Sequence, residues 1–502
     1  MGLIEKIKNA FTIKAPQSLQ IDIEQLTNFE GHTFINEIWY RGDASELHQL
    51  YKQIHENIEN EENFWGSTPS KHSTIRKIHT GLPSLIVDTL ADISTDDLDK
   101  IETKRQKEWN EMASTDENNI KELVKNAVVS VLWGGDGAFK WSIDTEVSKY
   151  PIVEFYPANR VEYEYKRGRL VAIIFKTKKI IKGKKYELRE RYDKKGITYK
   201  LIDEDKREVN IENFDELSEY SKPVINKANF MMARQFMIRK SQKFDGRGKS
   251  IFDGKLDSFD AFDEVWSNWM LAVRKGQIKE YIPDCFIPRD PKTGAILGRN
   301  DFDNAFVVGS DASENAKNEI MTTQGEIQHE ALLSSYITAL DQCLQGLISP
   351  STLGIDTKKL DNAEAQREKE KTTLYRRNQI VGVLEDVVKD IVDISFKVLD
   401  NMNNNTPKDT EVTITFGGYA NPSFEAQVET IGKASTSSIM SVEAQVEELW
   451  GDTKEDKWKA EEVKRIKYEK GIEIVDEPSI NKDIELIENE KELEEEVKEV
   501  EE

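Results

Sequence analysis

Leu256-Asp257-Ser258-Phe259-Asp260-Ala261-Phe262-Asp263-Glu264-Val265-Trp266-Ser267-Asn268-Trp269-Met270-Leu271-Ala272-Val273-Arg274-Lys275 is where the architecture becomes readable. Leu256, Phe259, Phe262, Trp266, Trp269, Met270 and Val273 recur every three or four residues, which draws one apolar stripe down an amphipathic helix. A helix of about 20 residues is roughly 30 Å long. Trp266 and Trp269 read first as packing residues. Beyond the stretch, Pro283, Pro288, Pro291, Gly294 and Gly298 exclude long helices. A second apolar stripe then predicts a helix over 326–347: Ile327, Leu333, Tyr336, Ile337, Leu340, Cys343, Leu344 and Leu347. Two long helices flanking a turn-rich module of about 45 residues predict a stalk with a small separate domain at its tip.

Upstream, helices are expected over 36–58, 70–94 and 116–132, although Gly81 and Pro83 must break or start the second. Trp133-Gly134-Gly135-Asp136-Gly137 stops the third and turns the chain back. Between about 151 and 210 the pattern changes to β-rich runs, Val161–Tyr165, Leu170–Lys176, Lys185–Tyr192 and Ile197–Ile202, separated by glycine-bearing turns. That is an antiparallel meander. Downstream, Ser349 to Leu360 is a loop by its local signals, opening into a long helix over 362–400. The first half of this helix, Glu364 to Arg377, is polar, whereas the second carries Val381, Leu384, Val388, Ile391 and Val398. Such a helix crosses two environments, and Gly382 is a candidate bend. A strand over Val412–Phe416, a helix capped by Ser441, another helix over 454–470 and an acidic tail from Asn481 complete the pass. The fold class is α+β, mainly helical.

With 502 residues the chain can hold several domains. No apolar run reaches the roughly 20 residues of a membrane span, and Met1 to Phe11 is too polar for a signal-peptide core. Two cysteines, Cys285 and Cys343, make no disulfide framework, and the chain reads as cytosolic when made. Net charge is −23. This is either a device for solubility and mutual repulsion or the lining of a surface along which a polyanion slides without sticking. Gly248-Lys249-Ser250 resembles the end of a phosphate-binding loop, but the glycine required five residues earlier is Lys243. Six scattered histidines form no ligand set. No catalytic residue, metal site or cofactor is expected.

Several segments resemble, in their order along the chain, the portal proteins of tailed bacteriophages, of the siphophage type found in Gram-positive hosts. They are Trp39-Tyr40-Arg41-Gly42-Asp43-Ala44-Ser45-Glu46-Leu47, Ile75 to Pro83, and Trp133 to Phe139. Arg247-Gly248-Lys249-Ser250-Ile251-Phe252-Asp253-Gly254 leading to Asp263-Glu264-Val265-Trp266, and Ser351 to Asp356 followed by Ala363 to Glu368, continue the series. The resemblance extends to about residue 472.

It implies a portal-protein fold with wing, stem, clip and crown regions, assembled as a dodecameric ring at one capsid vertex. Residues 1–255 correspond to the wing, 256–279 and 326–347 to the stem helices, and 280–325 to the clip. Residues 348–361 correspond to a tunnel loop, 362–422 to a long helix and return strand, 423–480 to the crown, and 481–502 to the tail. The implied partners are further copies of the chain, double-stranded DNA passing through, the terminase large subunit, a head-completion adaptor, and capsid and scaffolding proteins. The implied location is the virion, after assembly in the host cytoplasm. Asp356, Thr357, Lys358 and Lys359 would lie in the tunnel loop, where the two lysines form a positive collar; they also read as ordinary loop residues. Phe259, Phe262, Trp266, Trp269, Tyr336 and Leu340 would pack the stem. A non-pore scaffolding or adaptor protein is the alternative reading, and a nucleotide-dependent enzyme built on Gly248-Lys249-Ser250 is a third.

Overall fold

The computed structural model describes residues 28–57, 63–67, 75–96, 98, 101–226, 228–286, 292–294, 305–308, 319–355, 363–416, 424–437, 439–450, 454 and 456–470. It divides into two units, Met1–Gly417 and Gly418–Glu502. The N-terminal segment from Met1 to Phe11 and the acidic tail lie outside the described residues.

Helix α1 (Phe29–Arg41) is capped by Asn28, whose side-chain oxygen accepts from the Gly31 amide at 2.8 Å. It stops at Gly42, which adopts φ +69° and returns its N–H to the Ile38 carbonyl. Asp43 then accepts the Ser45 amide at 2.7 Å and opens α2 (Ala44–Asn57). The single helix expected over 36–58 is therefore two. A Cβ at Gly42 would lie 2.8 Å from the His79 ring, so close approach as well as backbone angle excludes a larger residue. The helix expected over 70–94 also starts later. Residues 75–80 have no regular structure, Gly81 takes φ +71°, and α3 (Leu82–Thr95) begins with proline in its first turn.

Strand β1 (Ile101–Thr103) and α4 (Gln106–Ala113) lead to α5 (Ile120–Gly134), which buries Val124, Ala127, Val128 and Val131. Three strands follow a pattern that period-two reading does not detect. β2 (Asp136–Ser142) lies between β3 (Ile152–Pro157) and a later strand, β10 (Ala233–Met237), in an antiparallel sheet. β2 is buried along nearly its whole length, so it shows no alternation.

The meander is present and longer than expected. β4 (Val161–Lys166), β5 (Arg169–Ile181), β6 (Lys184–Asp193), β7 (Gly196–Asp203) and β8 (Glu208–Val209) pair in sequence order, with β9 (Val224–Ile225) against β7. Two-residue turns at Arg167-Gly168 and Lys182-Gly183 place both central residues at positive φ, the hairpin geometry that matches strand twist. The far half of β5 and β6 has its own small core of Ile181, Leu188, Leu201, Ile211 and Leu217, which explains why β5 continues past Lys176.

Helix α6 (Leu256–Lys275) and α7 (His329–Leu344) flank a small sheet ordered β12-β11-β13. In it β11 (Lys279–Pro283) pairs parallel with β12 (Ala305–Val308) and antiparallel with β13 (Met321–Thr323). Helix α8 (Ala363–Met402) is one continuous helix of 40 residues. The bend expected at Gly382 does not interrupt it: Gly382 is exposed, and a Cβ there would meet nothing within 4 Å. From Ile380 onward α8 buries Leu384, Val387, Val388, Ile391, Val392 and Phe396 in the main core with α3 and α5. Trp141 of β2 donates its indole N–H to Ser395 of α8 at 2.8 Å in this interior. β14 (Val412–Ile414) pairs antiparallel with β1.

The second unit contains α9 (Phe424–Thr436), α10 (Val442–Trp450) and α11 (Asp456–Glu469). Ser441 caps α10, accepting the Ala444 amide at 3.3 Å. Trp450 meets Trp458 edge-on at 5.7 Å, and Lys459 pairs with Glu447 at 3.0 Å, joining α10 to α11.

Candidate functional site

The foot of α6 carries Asp260, Asp263 and Ser267 at i, i+3 and i+7, on the same side as Phe259, Phe262 and Trp266. All three polar residues are buried, so each needs a partner. Asp260 accepts the backbone amides of Phe64 at 2.8 Å and Trp65 at 3.2 Å. Asp263 accepts the Trp65 indole N–H at 3.1 Å, and both the amide and hydroxyl of Thr80 at 3.0 and 2.9 Å. His79 Nδ1 stands 2.7 Å from the same carboxylate. Ser267 Oγ accepts the Ile78 amide at 3.0 Å. Burial pushes the Asp260 carboxyl up, and the two backbone donors pull it back. This polar clamp seats the stalk on segments 63–67 and 77–80.

Above the clamp the helices meet through aromatic rings. Tyr336 of α7 is the hub, with ring centroids 5.1 Å from Phe262, 5.7 Å from Trp266 and 5.7 Å from Trp269. Phe259 faces inward against Phe252 at 5.6 Å and Trp39 at 6.1 Å. Leu340 and Cys343 are buried, and the Cys343 thiol donates to the Ser258 carbonyl at 3.2 Å. Burial pushes that thiol up to about 12. Near the outer end, a Cβ on Gly276 would come within 2.4 Å of Ile327, so only glycine permits the approach there. The six expected packing residues thus meet α6–α7 or the body beneath it. Farther out Val273, Ile278, Ile320, Met321 and Leu333 are exposed.

The segment after α7 is anchored before it leaves the described residues. Gly346 takes φ +76° and gives its carbonyl to Arg376 Nη2 at 2.5 Å. The Ser349 amide donates to Thr373 Oγ1 at 2.7 Å, and Thr352 Oγ1 lies 3.2 Å from the same hydroxyl. Arg377 Nε donates to the Ile93 carbonyl at 2.7 Å, fixing this turn of α8 to α3. Asp356, Thr357, Lys358 and Lys359 lie outside the described residues.

Gly248-Lys249-Ser250 is an architectural joint. Its Gly248 amide donates to Asp136 Oδ2 at 2.7 Å, and Arg247 forks onto the same carboxylate at 2.9 and 2.8 Å. Arg247 also donates to the carbonyls of Ala158 and Val161. Ser250 Oγ donates to the Trp133 carbonyl at 2.7 Å, closing the end of α5. A Cβ at Gly135 would lie 2.7 Å from the Gly248 carbonyl oxygen, so the two glycines let the backbones touch. No helix begins at this point, and the Gly248 amide is committed to Asp136; both depart from a phosphate-binding loop.

Sequence reasoning missed Asp136, Asp260, Asp263 and His79 as joints. One signal was present: carboxylates on the apolar stripe of an amphipathic helix. The structure also pairs the segments that carried the family resemblance. Trp133 to Gly137 meets Arg247 to Ser250, and His79 and Thr80 meet Asp263. Among the described residues no group of three or more His, Cys, Asp or Glu is placed to hold a metal ion, and no helix is long and apolar enough to cross a membrane.

No protein-family model matches the chain, and no curated protein matches it. Among solved structures it is similar to a chain of the virion of a native gene transfer agent particle, at 11% identity and TM-score 0.39, over 72% of this chain and 86% of that one. A chain of the neck of the native particle, computed with C12 symmetry, gives 10% identity and TM-score 0.38, over 71% and 88%. A chain of the neck of the empty particle, computed with C6 symmetry, gives 10% and 0.37, over 72% and 88%. Overlap this partial, at identity this low, does not define a shared fold.

Proposed function

We propose that the chain is a non-enzymatic portal subunit: copies stand side by side in a dodecameric ring that conducts double-stranded DNA at one capsid vertex. The observation that carries this reading is the stalk. Its foot is sealed by buried carboxylates and aromatic rings, while its outer part leaves Val273, Ile278 and Leu333 in solvent. Exposed apolar side chains on a paired-helix stalk are covered if neighbouring stalks pack around an axis. The order of the resemblance segments supports the same reading.

In this assignment the β11–β13 module meets the packaging motor and then the head-completion adaptor. The segment after Ile355 projects into the channel with Lys358 and Lys359. The anchoring of Gly346, Ser349 and Thr352 to α8 gives such a loop a fixed root. Mass measurement and negative-stain imaging of the purified assembly test the proposal. Annular particles with a central hole and a mass of twelve chains are expected. Particles without a hole would instead support the scaffolding or adaptor reading. Replacing Lys358 and Lys359 together by Glu is expected to leave the ring intact and to reduce packaged genome. A normal yield would remove the collar from the proposal.

A further inference from the structure

Behind the Gly346 turn, where α8, the end of α7 and the 239–255 segment converge, is a cleft of about 200 Å³. Arg239, Lys249, Lys255 and Arg376 line it, and Asp253 is the only carboxylate among the described residues of its wall. That carboxylate is already engaged by His32 at 2.6 Å. Lys255 donates to the Gln342 carbonyl at 2.7 Å, and Arg376 to the Gly346 carbonyl, which are neutral acceptors. The head groups of Arg239 and Lys249 have no hydrogen-bond or ion-pair partner among the described residues. Burial, and then the charge of Arg239, hold the Arg376 guanidinium below its ordinary value, and burial does the same to the Lys255 ammonium. Four cationic residues thus line one space against a single carboxylate, which His32 already contacts, in a chain whose net charge is −23.

We propose that this cleft is a binding site for a phosphate group. Charge and shape favour phosphate over a protein carboxylate. A phosphate carries roughly −1.5 to −2 charges and three strong acceptor oxygens, whereas one carboxylate carries a single charge on two. Guanidinium forks suit either oxyanion, but four cationic residues set against one carboxylate leave an excess of positive charge that a dianion neutralises better. The Lys249 amide is committed to the Arg239 carbonyl at 2.8 Å and the Ser250 hydroxyl to Trp133, so side chains make the site. Recognition by side chains alone reads a phosphate and not the group attached to it. A bound phosphate sets negative charge beside Arg376, relieves its repulsion from Arg239 and steadies its hold on Gly346. Occupancy therefore stiffens the turn that precedes Ser349.

The test uses the full chain and inorganic phosphate, titrated at constant ionic strength against chloride, and needs no ring. Phosphate is expected to raise the melting temperature saturably and to slow amide exchange over 345–355. Arg239→Gln with Lys249→Gln should melt like the parent in chloride and bind phosphate at least roughly tenfold more weakly. Lys249→Gln alone provides the same comparison if the double variant is poorly folded. A short DNA duplex that competes for the site identifies the DNA backbone as the source. Response to inorganic phosphate with the duplex silent identifies a small phosphate. The proposal is overturned if phosphate acts no more strongly than chloride, or if the glutamine variants keep the full response. Stabilisation by poly-glutamate with phosphate silent would also overturn it, marking a surface for acidic protein segments.

Discussion

The two ends of α6 follow different rules. At the foot, Phe259, Asp260, Phe262, Asp263 and Ser267 are all buried, and every carboxylate oxygen there finds a donor. At the outer end Val273, Arg274 and Lys275 are exposed, and the neighbouring Ile278, Ile320 and Met321 are exposed with them. The foot is complete within one chain. The outer end leaves apolar side chains exposed among the described residues, the surface that the proposed packing of copies would cover.

The two cysteines sample these ends and give the largest expected contrast. Cys343 lies buried at the foot with its thiol pushed up to about 12, while Cys285 beyond β11 is exposed. At pH 8 a maleimide should label exposed Cys285 far faster than buried Cys343, because the reagent must reach the sulfur and the thiolate is the reacting form. Comparable rates would mean that the foot opens readily, and the comparison would fail. Next in size is Asp263→Ala, which leaves the Trp65 indole, His79 and both Thr80 donors without their acceptor. A loss of about 3–5 kcal/mol in urea unfolding of the first unit is expected. Phe259→Ala should cost a similar or slightly smaller amount, about 3–4 kcal/mol, through the cavity left against Phe252 and Trp39. Trp269→Ala removes a half-buried ring from the Tyr336 cluster and should cost only about 1 kcal/mol in the same measurement. A Trp269 penalty equal to that of Phe259 would erase the distinction between the two ends. Smallest of all, Leu333→Ser should leave unfolding within about 0.5 kcal/mol of the parent. It should nevertheless weaken self-association, read by sedimentation; unchanged sedimentation would show that this face is not where copies meet.

The same division governs what could be read from the sequence. The stripe of α6 and α7 repeats every three or four residues, so both helices and their pairing were legible. The meander was legible because polar, glycine-bearing turns separate its strands. Asp260 and Asp263 were not, since their partners Phe64, Trp65 and Thr80 stand more than 180 residues away in the chain. β2 was missed because burial of both faces removes the alternation on which strand reading depends. A helix drawn straight through 36–58 overrode the local stop at Gly42-Asp43 because the apolar residues on either side continue a helical spacing, while the close approach of His79 that also demands glycine comes from another segment. The phosphate-like tripeptide at Gly248, set aside in the sequence because Lys243 replaces the upstream glycine, has another use: its glycine serves contact with Gly135, and its serine closes α5. The positions chosen for the tunnel loop, Asp356 to Lys359 with its two collar lysines, fall outside the described residues, while Ser349 and Thr352 before them fall within.

The clamp beneath α6 also has a mechanical meaning. Its bonds to Phe64, Trp65, Ile78, His79 and Thr80 act side by side on barely two turns of one rod. A tug along that rod is shared among them and none can yield early, so the stalk should pass a push or pull into the body as a rigid lever does, with little slack at the joint.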